Sequence, residues 1–294
     1  MIKKMLPLQQ KQRLIFFNGF MSLFHLLFAL ATSSVGNVDL KIPVYDTSLT
    51  FAPATNTSGF DLLPEYTSSG VLELTKLAAL FFLLSAFAHL GNGFLWTDFY
   101  FRYLNKGQSP TRWIEYFFSA PVMMLSIAYT SGIRGYTELN CIFWLVATTI
   151  LFGWLQEVIN RPHPEKDEWQ LDIASRAQAH VLGYIPQMAA WYSVLYTFLS
   201  SASGGGCGGP PDFVYYIVLG EALLFFSFGA PQLYQILSPP SRYVNGEYMY
   251  QVLSLLSKGT LGVILLANVL MYDRFEDAVV DANATAFRRT NCTS

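Results

Sequence analysis

The segment that decides the fold is YMYQVLSLLSKGTLGVILLANVLMY, residues 248–272. It is longer than the roughly 20 mostly apolar residues that cross a bilayer as a helix. One lysine, Lys258, lies ten residues into the segment, too deep to extend easily to either membrane face. Because a charge inside a membrane span is costly, it indicates a functional site. The segment therefore predicts a membrane helix with an amine at its centre.

The composition of the whole chain agrees with a membrane protein. Of the 294 residues, 52% are hydrophobic and 13% are charged, whereas roughly 25% are charged in an ordinary soluble domain. The net charge of −2 gives no electrostatic basis for a nucleic-acid partner. We therefore expect one integral membrane domain over residues 1–294, embedded in the lipid bilayer.

Six further apolar segments have the length of a membrane helix. The seven predicted spans are 14–33, 71–96, 113–133, 139–159, 174–200, 213–237 and 248–272. They predict an all-α membrane protein, a seven-transmembrane helix bundle. In the long first loop, Lys41–Tyr45 and Ser48–Phe51 look like two short strands around a turn. We expect a small extracellular β-hairpin there.

The basic residues set the orientation. With a cytoplasmic N-terminus, 11 of the 18 Lys and Arg residues lie in cytoplasmic segments, as the positive-inside rule requires. The C-terminus is then extracellular, and we expect the plasma membrane. Glycosylation motifs at Asn56, Asn283 and Asn291 fall on outer segments. Cys207 and Cys292 are also outside, where they form either a disulfide or two free thiols.

Lys258 has a candidate partner in the third span. Glu115 lies four residues before Ser119, and Ser254 lies four residues before Lys258, so each hydroxyl shares a helix face with its charged neighbour. The lysine is then either one half of a plain interhelical ion pair or an amine for covalent chemistry. Glu115 is either its partner or an interfacial carboxylate that contacts water.

Other polar groups fall inside predicted spans. His25, Ser85 and His89 form a candidate polar cluster near Glu115, although a lone helix histidine is more often a packing residue. Glu221, in the outer half of the sixth span, is either a neutral hydrogen-bonded acid or a proton-transfer group. No His, Cys or carboxylate spacing favours a metal site.

The sequence contains no pattern typical of an enzyme. It has no nucleophile–base pair, phosphate-binding glycine loop or metal set. Acidic residues cluster around the loop between the fourth and fifth spans, where a solvated face is the simplest interpretation. They are Glu157, Glu165, Asp167, Glu168 and Asp172.

Seven spans with a lysine in the last and a carboxylate in the third resemble the retinal-binding rhodopsins. The inverted orientation resembles the heliorhodopsin family, including its viral members. So do two motifs: Arg112-Trp113-Ile114-Glu115-Tyr116 in the third span, and Gly246-Glu247, Tyr250, Ser254-Leu255 and Lys258 in the seventh. The two histidines and the long first loop match as well, so the resemblance covers nearly the whole chain.

The resemblance implies a cofactor and the residues that hold it. Lys258 would bind all-trans retinal as a protonated Schiff base, with Glu115 as the counterion. The surrounding polar network would comprise His25, Ser85, His89, Ser119 and Ser254. Candidate pocket residues, each of which could equally be ordinary core, are Met123, Met124, Gln187, Trp191, Phe225 and Phe226. Gln187 replaces the aromatic residue that the family often has after the fifth-span proline, a departure that bears on the absorbed colour.

Three functions follow as hypotheses. The first is a light-activated photoreceptor that is not an active pump, and the resemblance also implies a homodimer. The second is a light-gated passive proton channel that uses Glu115 and Glu221, since some viral relatives are held to pass protons. The third is a seven-helix receptor without retinal. The sequence identifies no signalling partner.

Overall fold

The computed structural model describes residues 6–53, 59–163, 168–203, 209–273 and 277. Several sequence predictions lie outside these residues. They are the glycosylation motifs at Asn56, Asn283 and Asn291 and the cysteines Cys207 and Cys292.

The described chain forms the predicted seven-helix bundle. Its helices are α1 (Leu8–Val35), α2 (Leu74–Leu90), α3 (Thr97–Leu104), α4 (Pro110–Thr130), α5 (Tyr136–Ile159), α6 (Ile173–Ser203), α7 (Asp212–Ser227), α8 (Gly229–Leu237) and α9 (Tyr243–Leu265). Single π-helical turns, Gly91–Leu95 and Leu266–Leu270, extend α2 and α9. The helix α3 is a short element between the second and third spans. The helices α7 and α8 form the sixth span, which is broken at Phe228.

The spans differ in how apolar they are. By length and composition, α1, α2, α5, α7 with α8, and α9 are apolar enough to cross a membrane. The helices α4 and α6 have 21 and 31 residues but carry more polar side chains. Arg112 and Glu115 of α4 and Arg176 and Gln187 of α6 are buried inside the bundle. These four polar side chains therefore face the protein interior.

The first loop forms a hairpin longer than predicted. Strands β1 (Lys41–Pro53) and β2 (Phe60–Glu73) pair antiparallel, with an irregularity between Val44 and Tyr45. The predicted turn at Asp46-Thr47 is wrong, because both predicted strands belong to β1.

Asp46 explains why the strand continues. It lies opposite Thr67 in the register, and its carboxylate accepts hydrogen bonds from Ser69 at 2.7 Å and Thr137 at 2.9 Å. The adjacent Tyr45 N–H donates to the Arg134 carbonyl at 3.0 Å. These bonds fix the hairpin to the loop between α4 and α5, so we call this the hairpin end of the bundle.

The helix α2 begins at Leu74 and not at residue 71, because Val71–Glu73 still pair within β2. It packs between α1 and α4. Gly262 of α9 also lies against it, since a Cβ there would be 2.4 Å from the Phe82 Cζ atom. The helices α2, α4 and α9 therefore meet in the middle of the bundle, where the predicted functional side chains lie.

Candidate functional site

An ion pair between α4 and α9 forms the centre of the site. The Lys258 Nζ atom lies 3.0 Å from Glu115 Oε1, and these residues are only 3% and 6% exposed. The Glu115 carboxylate is therefore not at a membrane interface in contact with water. Arg112 pairs with other carboxylates and does not form an ion pair with Glu115. The α9 amine is its cationic partner, so the two charges compensate each other inside the bundle.

Three donors converge on the same carboxylate oxygen. Besides Lys258, Ser85 of α2 donates to Glu115 Oε1 at 2.5 Å and Ser119 donates at 2.7 Å. Lys258 donates a second hydrogen bond to Ser254 Oγ at 2.9 Å. The spacing of four residues brings each serine onto the face of its charged neighbour, as the sequence predicts. The hydroxyls hold both charged groups in fixed positions.

The two predicted histidines lie together beside this pair, between α1 and α2. Their rings are stacked, with centroids 5.7 Å apart. The His89 Nδ1 atom is 2.8 Å from the Asn18 Oδ1 atom, whereas neither ring nitrogen of His25 has a partner among the described residues. Sequence reasoning missed Asn18, although an asparagine inside an apolar span was a usable signal.

A cavity extends from Lys258 between helices α4, α5, α6, α7, α8 and α9. Four of the predicted pocket residues line it: Met123, Gln187, Phe225 and Phe226. Met124 and Trp191 are buried but do not line it. Trp191 packs behind Phe225, with ring centroids 5.5 Å apart.

Sequence reasoning missed most of the cavity wall. The missed side chains include Trp113, Tyr116, His180, Tyr184, Phe228, Gln232 and Tyr250. Trp113, Tyr116, Ala120 and Met123 follow the spacing of one helix face, so this periodicity in α4 was a signal for the wall. The lining of α6, which runs from Ala179 to Gln187, follows the same spacing. The part from α8 had no such signal, because its position depends on the break at Phe228.

Glu221 of α7 is a second carboxylate close to Lys258. It is 0% exposed, and its Oε2 atom accepts a hydrogen bond from Ser257 at 2.7 Å. Its Oε1 atom has no hydrogen-bond partner among the described residues. Because Ser257 precedes Lys258 in α9, two buried carboxylates lie near one lysine.

A second ionic cluster lies at the end of the bundle away from the hairpin. The Arg112 guanidinium donates to both Glu157 of α5 and Glu247 of α9. The solvated interpretation of Glu157 is therefore wrong, because this residue is 3% exposed and paired. Glu168 and Asp172 are exposed, and the remaining members of the predicted patch lie outside the described residues.

Hydroxyl groups complete the second cluster. Tyr243 donates to Glu157 at 2.7 Å, and Tyr100 and Ser109 donate to Glu247 at 3.1 and 3.0 Å. Arg112 and Glu247 both belong to the two motifs that carry the family resemblance, which was a weak signal for this cluster.

The Arg112 guanidinium lies 3.8 Å from the centroid of the Tyr250 ring. Trp113, Tyr116 and Tyr250, which we call the aromatic floor, pack together and also line the cavity. The aromatic floor therefore separates the cavity from the second cluster.

A family model that matches most of the chain identifies the protein family. The heliorhodopsin family model matches residues 14–270. The chain belongs to the heliorhodopsin family. Membership supports a retinal-binding, light-sensing membrane protein over an enzyme or a receptor without retinal. No curated protein matches the sequence.

Solved structures show the same fold as this heliorhodopsin. A thermophilic rhodopsin from Rubrobacter xylanophilus is similar with a TM-score of 0.55 at 14% identity, over 93% of this chain and 99% of that chain. Xanthorhodopsin, described as a light-driven ion pump with dual chromophore, is similar with a TM-score of 0.50 at 12% identity, over 96% of this chain and 98% of that chain. At these identities the likeness extends to the fold alone.

Proposed function

We propose that this heliorhodopsin is a light-activated photoreceptor in which Lys258 holds all-trans retinal as a protonated Schiff base and Glu115 is the counterion. The observation that carries the proposal is the 3.0 Å contact between Lys258 Nζ and Glu115 Oε1 at the wall of a largely apolar cavity. A buried amine with one carboxylate partner and adjacent space suits covalent attachment of an aldehyde.

The cavity fits such a ligand. Met123, Phe225 and Phe226 supply apolar walls, as is typical of small-molecule sites. Lys258 is the one charged side chain that lines it among the described residues. Retinal, when bound, supplies absorption of visible light and a change of shape on isomerisation.

The residues around Lys258 control the charge and the proton at its nitrogen. The Glu115 carboxylate stabilises a positive charge there, and Ser85, Ser119 and Ser254 fix the geometry. His89 is a proton acceptor one helical turn from Ser85. Its Nδ1 atom faces the side-chain amide oxygen Oδ1 of Asn18, which leaves Nε2 as the basic nitrogen of a neutral ring.

A sensor fits the geometry better than an active pump does. The aromatic floor and the Arg112 cluster close the end of the bundle away from the hairpin. A polar chain runs from His89 through Asn18 and Tyr100 to Glu247, and it ends at the enclosed pair of Glu247 with Arg112. Movement in the cavity would instead change helix packing, which is how switching transitions propagate.

The visible spectrum tests this proposal. Purified protein with added all-trans retinal is expected to show a visible band, and Lys258→Ala is expected to abolish it. Lys76→Ala, at an exposed surface pair, is the matched control and should keep the band. Absence of a band in the wild-type protein, or a band in Lys258→Ala, would overturn the assignment.

A second candidate function is passive proton conduction under light. It is favoured by Glu221, a buried carboxylate beside Ser257 in an apolar setting. Patch-clamp recording should then show a photocurrent that reverses with voltage and disappears in Glu221→Gln. No photocurrent at any voltage or pH would exclude conduction and leave the sensor.

The proposal includes a plasma-membrane orientation with a cytoplasmic N-terminus, supported by the distribution of basic residues. A glycosylation-site assay tests it: a mass shift that Asn56→Gln removes would support an extracellular first loop. A shift that appears only when an acceptor site is introduced between α3 and α4 would reverse the orientation.

The proposal also includes a homodimer, supported by an apolar hairpin face. Leu49, Phe51, Phe60 and Leu62 share this face by register and are 56–73% exposed. Patches of this kind mark interaction sites. Light scattering of the purified protein should give a dimer mass, and Phe51→Asp should lower it. A monomer mass for the wild-type protein would contradict the proposal.

A further inference from the structure

A second polar group lines the same cavity as Lys258. It consists of His180 of α6 and Gln232 of α8. The His180 Nδ1 atom is 2.9 Å from Gln232 Oε1, and Gln232 Nε2 donates to the Gly153 carbonyl oxygen at 2.9 Å. These contacts link α5, α6 and α8 in one hydrogen-bond chain.

The chain of contacts fixes the proton on the His180 ring. Because the Gln232 amide nitrogen donates to Gly153, the amide oxygen faces His180. An amide oxygen only accepts, so Nδ1 of His180 must carry the hydrogen. In the neutral ring the Nε2 atom is then a hydrogen-bond acceptor. No described residue supplies a donor to it.

The surroundings of His180 are mostly aromatic. The Tyr184 ring lies edge-on to the imidazole, with centroids 5.3 Å apart. Gly229 lies against both side chains, since a Cβ there would be 1.9 Å from the Tyr184 hydroxyl oxygen and 3.4 Å from His180 Cε1. His180 is half-buried, and a ligand hydroxyl in this cavity that donates to its acceptor nitrogen would add one hydrogen bond to the apolar contacts.

Plain retinal has no such donor, because its one oxygen is lost as water when the aldehyde condenses with Lys258. We propose that the cavity prefers a hydroxylated retinal, a polyene aldehyde with an alcohol group away from the aldehyde, and that His180 Nε2 accepts the hydrogen bond from that alcohol. This inference rests on the proposed function. His180 is a specificity-determining residue in this scheme.

Competitive loading of the full chain tests the preference. The protein without chromophore is incubated with equal amounts of all-trans retinal and all-trans 3-hydroxyretinal, and the bound chromophores are extracted and quantified by chromatography. We expect the hydroxylated form to be enriched about tenfold, the effect of one buried hydrogen bond. His180→Phe should abolish the enrichment, and His180→Gln, which keeps a carbonyl acceptor, should restore part of it.

The matched control is His163→Phe, at a histidine between α5 and α6 that does not line the cavity, and it should keep the enrichment. Equal loading of both aldehydes by the wild-type protein would overturn the inference and leave the proposed function intact. Enrichment that persists in His180→Phe would also overturn it. If neither aldehyde gives a visible band, the proposed function itself fails. Because the wild-type competition decides the main point, the test survives a variant that does not fold.

Discussion

Two buried ionic groups lie in the same bundle and are built differently. Lys258 pairs with one carboxylate, Glu115, and its amine faces a cavity. Arg112 pairs with two carboxylates, Glu157 and Glu247, and its guanidinium is stacked on an aromatic ring. The lysine group has open space beside it, whereas the arginine group is enclosed by its own partners.

The difference follows from the chemistry of the two cations. Arginine stays charged and presents a rigid planar set of donors, which suits permanent pairing with two carboxylates. Lysine is a compact amine that can lose its proton and form covalent bonds when buried. Charge burial alone therefore does not mark a reactive site, and the adjacent cavity is what separates the two groups.

The largest expected effect is from loss of the arginine. Arg112→Ala leaves Glu157 and Glu247 buried without a cation, which should lower the free energy of unfolding by about 3–5 kcal/mol. Denaturant unfolding of the purified protein measures it. Glu157→Gln with Glu247→Gln in the same chain should recover part of the loss. If Arg112→Ala is no less stable than Lys258→Ala, the contrast between the two groups is wrong.

Removing the carboxylate charge beside Lys258 should cost less stability and change colour. In Glu115→Gln the amide oxygen still accepts hydrogen bonds, so we expect a loss of roughly 1–3 kcal/mol. The visible band should move to longer wavelength, because the ground state of the cationic Schiff base loses its counterion. Glu157→Gln is the control and should leave the band in place. An unchanged spectrum in Glu115→Gln would remove this residue from the counterion role.

A packing variant of similar or smaller effect tests the aromatic floor between the two groups. A Cβ at Gly153 would lie 2.4 Å from Trp113 Cζ3, so Gly153→Ala should displace this ring and cost about 1–3 kcal/mol. Gly220→Ala, where a Cβ meets open space, is the control. Gly153→Ala should lower the unfolding temperature and shift the visible band, whereas Gly220→Ala should change neither. Equal behaviour of the two variants would mean that the floor is not tightly packed.

The smallest expected effect is the pH dependence of hairpin stability. It comes from the exposed carboxylate of Asp46, which we compare with the two buried ionic groups. Hydrogen bonds from Ser69 and Thr137 hold the pKa of Asp46 below its usual value. Its contribution to hairpin stability is therefore present above the unfolded pKa and is lost as the pH falls through the folded value. Amide exchange of the hairpin should become faster over that acidic range. Asp46→Asn should show little dependence on pH there.

The fold was largely predictable from the sequence, whereas the site was predictable only in part. Span length and apolar content identify the helices, and the spacing of four residues identifies Ser119 and Ser254. Glu115 was a candidate partner of Lys258, but an interfacial carboxylate in contact with water stayed open as the alternative until the helices were placed. A run of acidic residues in a sequence does not show which members are buried, so the solvated interpretation of Glu157 was wrong. Its burial depends on Arg112 approaching from another helix.

Two further features could not be predicted from the sequence: the length of strand β1 and the part of the cavity wall formed by His180 and Gln232. Asp46 is a typical turn residue, and it stays within β1 because Ser69 and Thr137 satisfy its side chain. His180 and Gln232 are distant in the chain and meet only because α6 and α8 pack together. Such contacts are long-range and leave no local periodicity.

The break at Phe228 has a consequence for the cooperativity of the bundle. The sixth span is interrupted at the single residue Phe228, which keeps near-helical backbone angles, and the centroid of its ring lies 5.6 Å from that of Tyr116. A helix interrupted in this way can open on one side of the break while the other side stays formed. We expect amide protection to change at this residue, so that α7 and α8 exchange at different rates. Motion in this protein would then be confined to half a helix.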